Sequence, residues 1–523
     1  MKEACRISAA DLQHGLESSE EFALVDARRE GDFATGHIFS ASNIPLSQLE
    51  LRLEALIPRR TTPIVLCDAN DSLASEAAAV MTGMGYGAVS ILEGTISAWA
   101  HAGHRLFSGI NVPSKAFGEY VEHYAGTPHI DPRELHRLMQ GDEDIAVLDS
   151  RPFDEYQVMS IPSAISCPGG ELVYRFFENV PSAHTRVIVN CAGRTRSIIG
   201  AQSLIDAGVP NAVVALRDGT MGWHLAGLEL EHEQSRRARA PESGSLALAH
   251  ARAQAVAKRV GVRSATWDEY HAAQRNPTRT TYLFDVRDSE EFNVAHPSGA
   301  ISAPGGQLLQ SLDTYAAVRN AVIFLCDADG VRGAMTAAWL KQMGWTDVWH
   351  IRGGLHGARL ATGDPPPPSP HSVAPTLAAS LIERDGAVVI DIASSKEYRR
   401  RHVRGALFCE RMGLPGLLTS LAGKTALLTS SDGRLAAIAV DSLARSFPHL
   451  QSIAGGTSAW DNAGLAVESG RGNLPDRPTD VFYRPYDNDD DVESAMREYL
   501  KWEVNLLHLM EGEPGVNFGA WTF

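Results

Sequence analysis

Val187-Ile188-Val189-Asn190-Cys191-Ala192-Gly193-Arg194-Thr195-Arg196-Ser197 reads as a buried strand that ends at a cysteine and turns through a short basic loop. From Ile198 to Ala207 the apolar positions recur with helical spacing, so a helix is expected to follow at once. Such a loop aims backbone N–H groups and the positive end of a helix dipole at one point. A cysteine placed there, beside Arg194 and Arg196, is expected to have a depressed pKa and to exist partly as thiolate. It is a candidate nucleophile inside an anion-binding cradle.

Working outward, the same unit recurs. An apolar run ending in Asp occurs four times, at Leu24-Val25-Asp26, Val147-Leu148-Asp149, Leu283-Phe284-Asp285 and Val389-Ile390-Asp391. Six residues after each Asp stands an acid (Asp32, Glu155, Glu291, Glu397), followed by an aromatic (Phe33, Tyr156, Phe292, Tyr398). Further on come His37, Ser160, His296 or His402, and then Ala41, Ala164, Ala300 or Ala406. A second apolar run ends at Cys67, Cys191, Cys326 and, by the same register, Ser430. A third leads to Gly94-Thr95 with Trp99, Gly219-Thr220 with Trp223 and Gly456-Thr457 with Trp460; the third copy keeps Gly353-Gly354 but has Ala358 for the Trp. Four tandem copies of one unit follow from this.

Short apolar strands alternating with amphipathic helical segments imply an α/β fold: in each copy, a small doubly wound parallel sheet flanked by helices. Ligands of such sheets bind beyond the carboxyl ends of the strands, where each Cys or its replacement falls. The expected units are residues 1–107, 128–230, 262–362 and 372–468, followed by a tail, 470–523. Ser108 to Pro128 joins the first two, and Glu229 to Val262, with an Ala-rich helical stretch, joins the next two. Gly363-Asp364 and the run Pro365 to Pro368 form a stiff spacer before the fourth. In the tail, Val492, Ala495, Met496, Tyr499, Leu500, Glu503, Leu506 and Leu507 have helical spacing, which predicts a helix that docks on the body or a partner and takes no part in chemistry.

The 523 residues, 44% apolar and 21% charged, describe a soluble globular chain of several domains. The net charge of −16 argues against nucleic acid or an anionic membrane as partner, so basic character must be local. The first residues lack the apolar core of a signal peptide, and no apolar run is long enough to span a bilayer; a cytoplasmic protein is expected. Six cysteines (5, 67, 167, 191, 326, 409) are scattered singly, without metal-ligand pairs, and there is no dinucleotide or P-loop pattern. Neither metal nor cofactor is expected.

The pattern Asp149-x-Arg151-x3-Glu155-Tyr156, followed by Cys191-x-Gly193-Arg194-Thr195-Arg196-Ser197, resembles the rhodanese-like sulfurtransferases. The resemblance covers roughly residues 5 to 468, and the second copy fits the active form best, with Arg196 five residues after Cys191. It implies a cysteine that takes a sulfane sulfur from a donor such as thiosulfate, carries it as a persulfide and passes it to cyanide or a thiol. On this reading Cys191 is the nucleophile. Arg194 and Arg196 neutralise the sulfonate end of a small anionic donor. The amides from Ala192 through Thr195 to Ser197 cradle it, Gly193 permits the tight loop, and Ser197 caps the following helix.

The sister loops differ in charge. Cys67-Asp68-Ala69-Asn70-Asp71-Ser72-Leu73 sums to −2 and Cys326-Asp327-Ala328-Asp329-Gly330-Val331-Arg332 to −1, against +2 for Cys191 to Ser197. Neighbouring carboxylates disfavour a thiolate, and Ser430 is no thiol, so one competent site is expected. His37, His296, His402 and the three tryptophans are expected to be scaffold, as is the Asp149/Arg151/Glu155 set. The alternative function is a sulfur-relay or scaffold protein whose inactive units bind partner proteins.

Overall fold

The fold was obtained as a computed structural model that describes residues 4–363, 369–421, 423–487 and 490–519. The proposed Pro365 to Pro368 spacer lies outside the described residues. Each unit is organised around a strand of uninterrupted apolar residues, such as Val322–Cys326 and Ile64–Cys67, in which every side chain is buried. That burial is what a parallel sheet covered on both faces requires. In the second unit the strands lie in the spatial order His129–Ile130, Val213–Leu216, Arg186–Asn190, Ile145–Asp149, Ile165–Ser166, all parallel. Among the described residues four five-stranded sheets share this order, and the fourth runs through Ser372–Val373, Leu450–Ile453, Ala426–Thr429, Val388–Asp391 and Leu407–Phe408.

The recurring residues explain why the unit repeats. Arg151 is 1% exposed and grips Asp149 through Nε and Nη2 at 2.9 and 2.8 Å, while Nη2 also donates to the Met159 carbonyl. Arg28 and Arg287 repeat that brace on Asp26 and Asp285. The fourth unit has Ala393 at this position, leaving Asp391 Oδ2 buried and without a hydrogen-bond partner among the described residues. Each recurring histidine stacks on the aromatic four residues before it, with ring centroids 3.7 to 3.8 Å apart, and its Nδ1 meets that residue's carbonyl. The rings therefore sit in scaffold and stay away from the loops. Trp99, Trp223 and Trp460 plug their cores and each donates its indole N–H to the carbonyl six residues on. In the third unit Trp267 enters from the opposing helix and packs near Ala358, filling the missing volume.

The linkers are structural elements in their own right. Ser108 to Pro128 folds into the helix Val112–Ala125, most of whose side chains are buried. Its Phe117 and Val121 join one continuous core with Ile198 of the second unit, Leu56 of the first and Tyr282 of the third. Gly118 lets this helix close on the basic loop, since a Cβ there would lie 2.8 Å from Thr195 Cγ2. The tail helix Val492–Leu509 packs along it, burying Met496, Leu500 and Leu506.

Candidate active site

Cys191 follows directly on the strand Arg186–Asn190 and is 2% exposed. The helix after it spans Thr195–Asp206, beginning three residues earlier than its apolar spacing indicates. Thr195, Arg196 and Ser197 therefore form the first helical turn, where backbone N–H groups have no carbonyl of their own helix to bond. Ser197 is not the N-cap, a position held by Arg194. Its hydroxyl donates to the Arg194 carbonyl at 2.8 Å and lies 3.4 Å from Cys191 Sγ. The Gly-Thr pattern fixes the loop from behind: Thr220 N–H and Oγ1 both reach the Cys191 carbonyl, and Asn190 Nδ2 links Thr220 to Asp149. Gly219, at φ +56°, is required here because a Cβ would fall 2.3 Å from the Cys191 carbonyl oxygen.

Gly193 has a different reason from the one expected. It does not adopt a positive φ; instead the space over it is taken, as a Cβ would stand 2.9 Å from both Glu503 Oε2 and Met221 Cε.

The two arginines part company. Arg194 sits in a cage of carboxylates: Nε lies 2.7 Å from Glu119, Nη1 3.1 Å from Asp218, and Nη2 also meets Glu122. These pairs tie the linker helix to the loop, while Arg194 also lines the cavity at Cys191. Arg196 pairs with Glu155 at 2.8 Å, and Arg484 from the tail approaches the same carboxylate at 3.0 Å. Burial pushes Glu155 upward, but these two guanidiniums outweigh it and hold the carboxyl well below the ordinary range.

The expected depressed pKa of Cys191 is also corrected. Burial pushes the thiol up, and Arg196 and the Ser197 hydrogen bonds only partly oppose it. Counting charges along the loop misses this because burial does not enter such a sum, and the one acid that adds to the rise, Glu503, comes from the distant tail helix. Cys67 and Cys326 are driven much further up, chiefly by burial and then by Asp26 and Asp285 at the ends of adjacent strands.

The sister loops show what separates the second unit. Asp68 accepts from the amides of Asn70 and Asp71 through one oxygen and from Ala74 through the other. Asp327 does the same with Gly330 and Gly333, and Asp329 takes Val331 and Arg332. An internal carboxylate thus fills the anion cradle of the first and third units. That carboxylate stands where Cys191 stands in the second unit: Cys67 and Cys326 pair with Asp26 and Asp285 as Asn190 pairs with Asp149, so both cysteines lie one residue before the Cys191 position, which corrects the register expected from the sequence. In the fourth unit Ser430 Oγ itself accepts from Ala436 N–H.

A cavity of about 100 Å³ opens onto Cys191. Its walls come from the basic loop, the linker helix through Lys115, the third unit through Gln307 and Gln310, and the tail through Arg484, Tyr499 and Glu503. The tail therefore helps build the site, contrary to its reading as mere docking surface. The sequence did carry one signal of this: Glu503 is the acidic residue in an otherwise apolar stripe. The Arg484 and Gln307 contributions have no counterpart signal.

This fold and site define a class. A family model described as the rhodanese-like domain matches residues 8–102, 131–226 and 266–360, more than half of the chain, and the chain belongs to that family of sulfurtransferases. The fourth sheet lies beyond the matched residues. Over its full length the chain is similar to a solved thiosulfate sulfurtransferase from Pseudomonas aeruginosa, with 42% identity, a TM-score of 0.87, and coverage of 98% of this chain and 99% of that one. A tRNA uridine(34) hydroxylase of Escherichia coli is 31% identical over 77 residues, 14% of this chain, and the match spans 22% of that protein's length. No helix among the described residues is long and apolar enough to cross a membrane.

Proposed function

We propose that this chain moves a sulfane sulfur from a small anionic donor, thiosulfate in the first instance, through a persulfide on Cys191 to cyanide or a thiol. The observation that carries the reading is the residue at the head of the cradle: Cys191 stands there in the second unit, while Asp68, Asp327 and Ser430 hold that position in the others and accept from the amide six residues on.

The Cys191 thiolate attacks the outer sulfur of thiosulfate. A bond forms from Sγ to that sulfur, the bond to the sulfonate sulfur breaks, and its electron pair leaves with sulfite. The loop amides from Gly193 to Ser197 and the Arg196 guanidinium stabilise the charge growing on the leaving sulfite. Cyanide then attacks the outer sulfur of the persulfide and departs as thiocyanate, returning the thiolate. Arg194 holds the loop in shape and takes no part in donor binding. We take residues 128–230 as the competent unit, 1–107, 262–362 and 372–468 as units without turnover, and the cytoplasm as the compartment that keeps these thiols reduced.

Treatment with thiosulfate followed by peptide mapping tests the reading. A gain of about 32 Da, one sulfur atom, is expected on the Cys191 peptide. Loading on Cys67 or Cys326 instead, or on none, refutes it. Steady-state turnover of thiosulfate separates this function from a partner-binding scaffold, which would show none.

A further inference from the structure

Glu503 is 3% exposed and enters the Cys191 cavity from a helix outside the repeated units. Its Oε1 is held by the Tyr499 hydroxyl at 3.2 Å and lies 3.5 Å from Thr195 Oγ1. Its Oε2 has no hydrogen-bond partner among the described residues and points at the loop over Gly193. A buried carboxylate oxygen left unpaired carries its full desolvation cost, which is greater when it is charged. Standing beside a cradle for anions, it also repels the donor. Nothing in the packing of the tail helix demands it, since Met496, Leu500 and Leu506 supply the apolar contact.

The groups facing it are Lys115 and Glu119 from the linker helix, Arg194, Thr195 and Cys191 from the loop, and Tyr499 from its own helix. Lys115, whose ammonium bonds the Ile110 carbonyl, is the nearby cation that offsets the ionised form. Burial raises the Glu503 carboxyl and Lys115 restrains the rise. That is the behaviour of a group able to take and return a proton near neutrality.

Resting on the persulfide reading of Cys191, we infer that Glu503 is the proton acceptor for a thiol co-substrate at this site, through its unpartnered Oε2. An incoming R–SH gives its proton to Glu503 as its sulfur attacks the outer sulfur of Cys191–S–S⁻. The new bond joins the thiol sulfur to the outer sulfur, the bond from the outer sulfur to Sγ breaks, and Sγ keeps the electron pair as thiolate. The proton then passes from Glu503 to the departing R–S–S⁻, which leaves as R–S–SH. The physiological acceptor class is therefore a small protonated thiol.

The experiment charges the full chain and Glu503→Gln with thiosulfate, confirms the persulfide on Cys191 by mass, and measures single-turnover discharge to dithiothreitol and to sulfite just above neutral pH, where the dithiothreitol thiol is still protonated and sulfite is mostly not. Sulfite has no proton to lose from its attacking sulfur and serves as the internal reference. The dithiothreitol-to-sulfite rate ratio is expected to fall about 100-fold in the variant, the scale of one general base. An unchanged ratio overturns the assignment of Glu503 and leaves the persulfide reading intact. A wild-type chain that never charges at Cys191 overturns both. Should the variant fail to fold, the wild type decides: discharge to dithiothreitol, and not to sulfite, is slower in heavy water, and equal rates in the two solvents count against the inference.

Discussion

Arg196 Nη2 stands 2.8 Å from Glu155 Oε2, a pair that joins the first turn of the cysteine helix to the acid repeated after every Asp-ending strand. Arg484 shares that carboxylate, so a guanidinium is held at the mouth of the cradle by a partner on a different element. Arg194, two residues away, is held by a different set of carboxylates, Glu119, Glu122 and Asp218. The two arginines thus have separable roles.

Arg196→Ala is expected to raise the thiosulfate KM about ten- to a hundredfold, the equivalent of one charge-assisted contact. The steady-state KM measured against thiosulfate checks this, and an unchanged KM removes Arg196 from donor binding.

Arg194→Ala leaves three carboxylates facing one another without their cation. It is expected to lower stability by about 3 kcal/mol while the thiosulfate KM of the folded fraction moves little. Denaturant unfolding set beside kinetics decides, and a KM effect as large as that of Arg196→Ala would restore Arg194 as a donor ligand.

Cys191→Ser is expected to abolish thiosulfate:cyanide transfer, whereas Cys67→Ser and Cys326→Ser retain most of it. Iodoacetamide labelling of Cys191 in the resting chain is expected to increase as pH rises into the alkaline range, because burial holds the thiol protonated at neutrality. Labelling that is already complete and pH-independent at neutrality contradicts this.

Asp68→Ala removes the acceptor of three loop amides and is expected to destabilise the first unit by about 1–3 kcal/mol. It also empties that cradle, so sulfite or thiosulfate should then stabilise the variant more than the wild type in thermal unfolding. Equal stabilisation of both chains would show that Asp68 is no plug.

Asp391 lacks the arginine that its three counterparts have, and burial pushes its carboxyl up to about 7. Between its ordinary value near 3.8 and that pH the folded chain binds more protons than the unfolded chain, so stability falls as pH rises through the window. Asp391→Asn is therefore expected to stabilise the fourth unit at pH 8, by about 2–4 kcal/mol, and to do little at pH 4. Thermal unfolding at the two pH values checks the sign.

The repeated Asp, acid, aromatic and Gly-Thr positions determined the parallel sheets and the placement of Cys191 at a strand end before a helix, because strand burial and turn geometry are local and periodic. The same repetition marked His37, His296, His402 and the tryptophans as scaffold. The sequence by itself also singled out the second loop, through its charge of +2 against −2 and −1 in the first and third, but it set Cys67 and Cys326 one residue out of register with Cys191. What it misjudged is the electrostatics. The loop sums to +2 along the chain, yet Glu119, Glu122, Asp218, Glu155 and Glu503 converge on it from elements far apart in sequence. Charge interactions depend on distance and burial in space, so the raised thiol, the caging of Arg194 and the entry of Glu503 into the cavity were decided only when the linker helix and tail helix packed against the second unit.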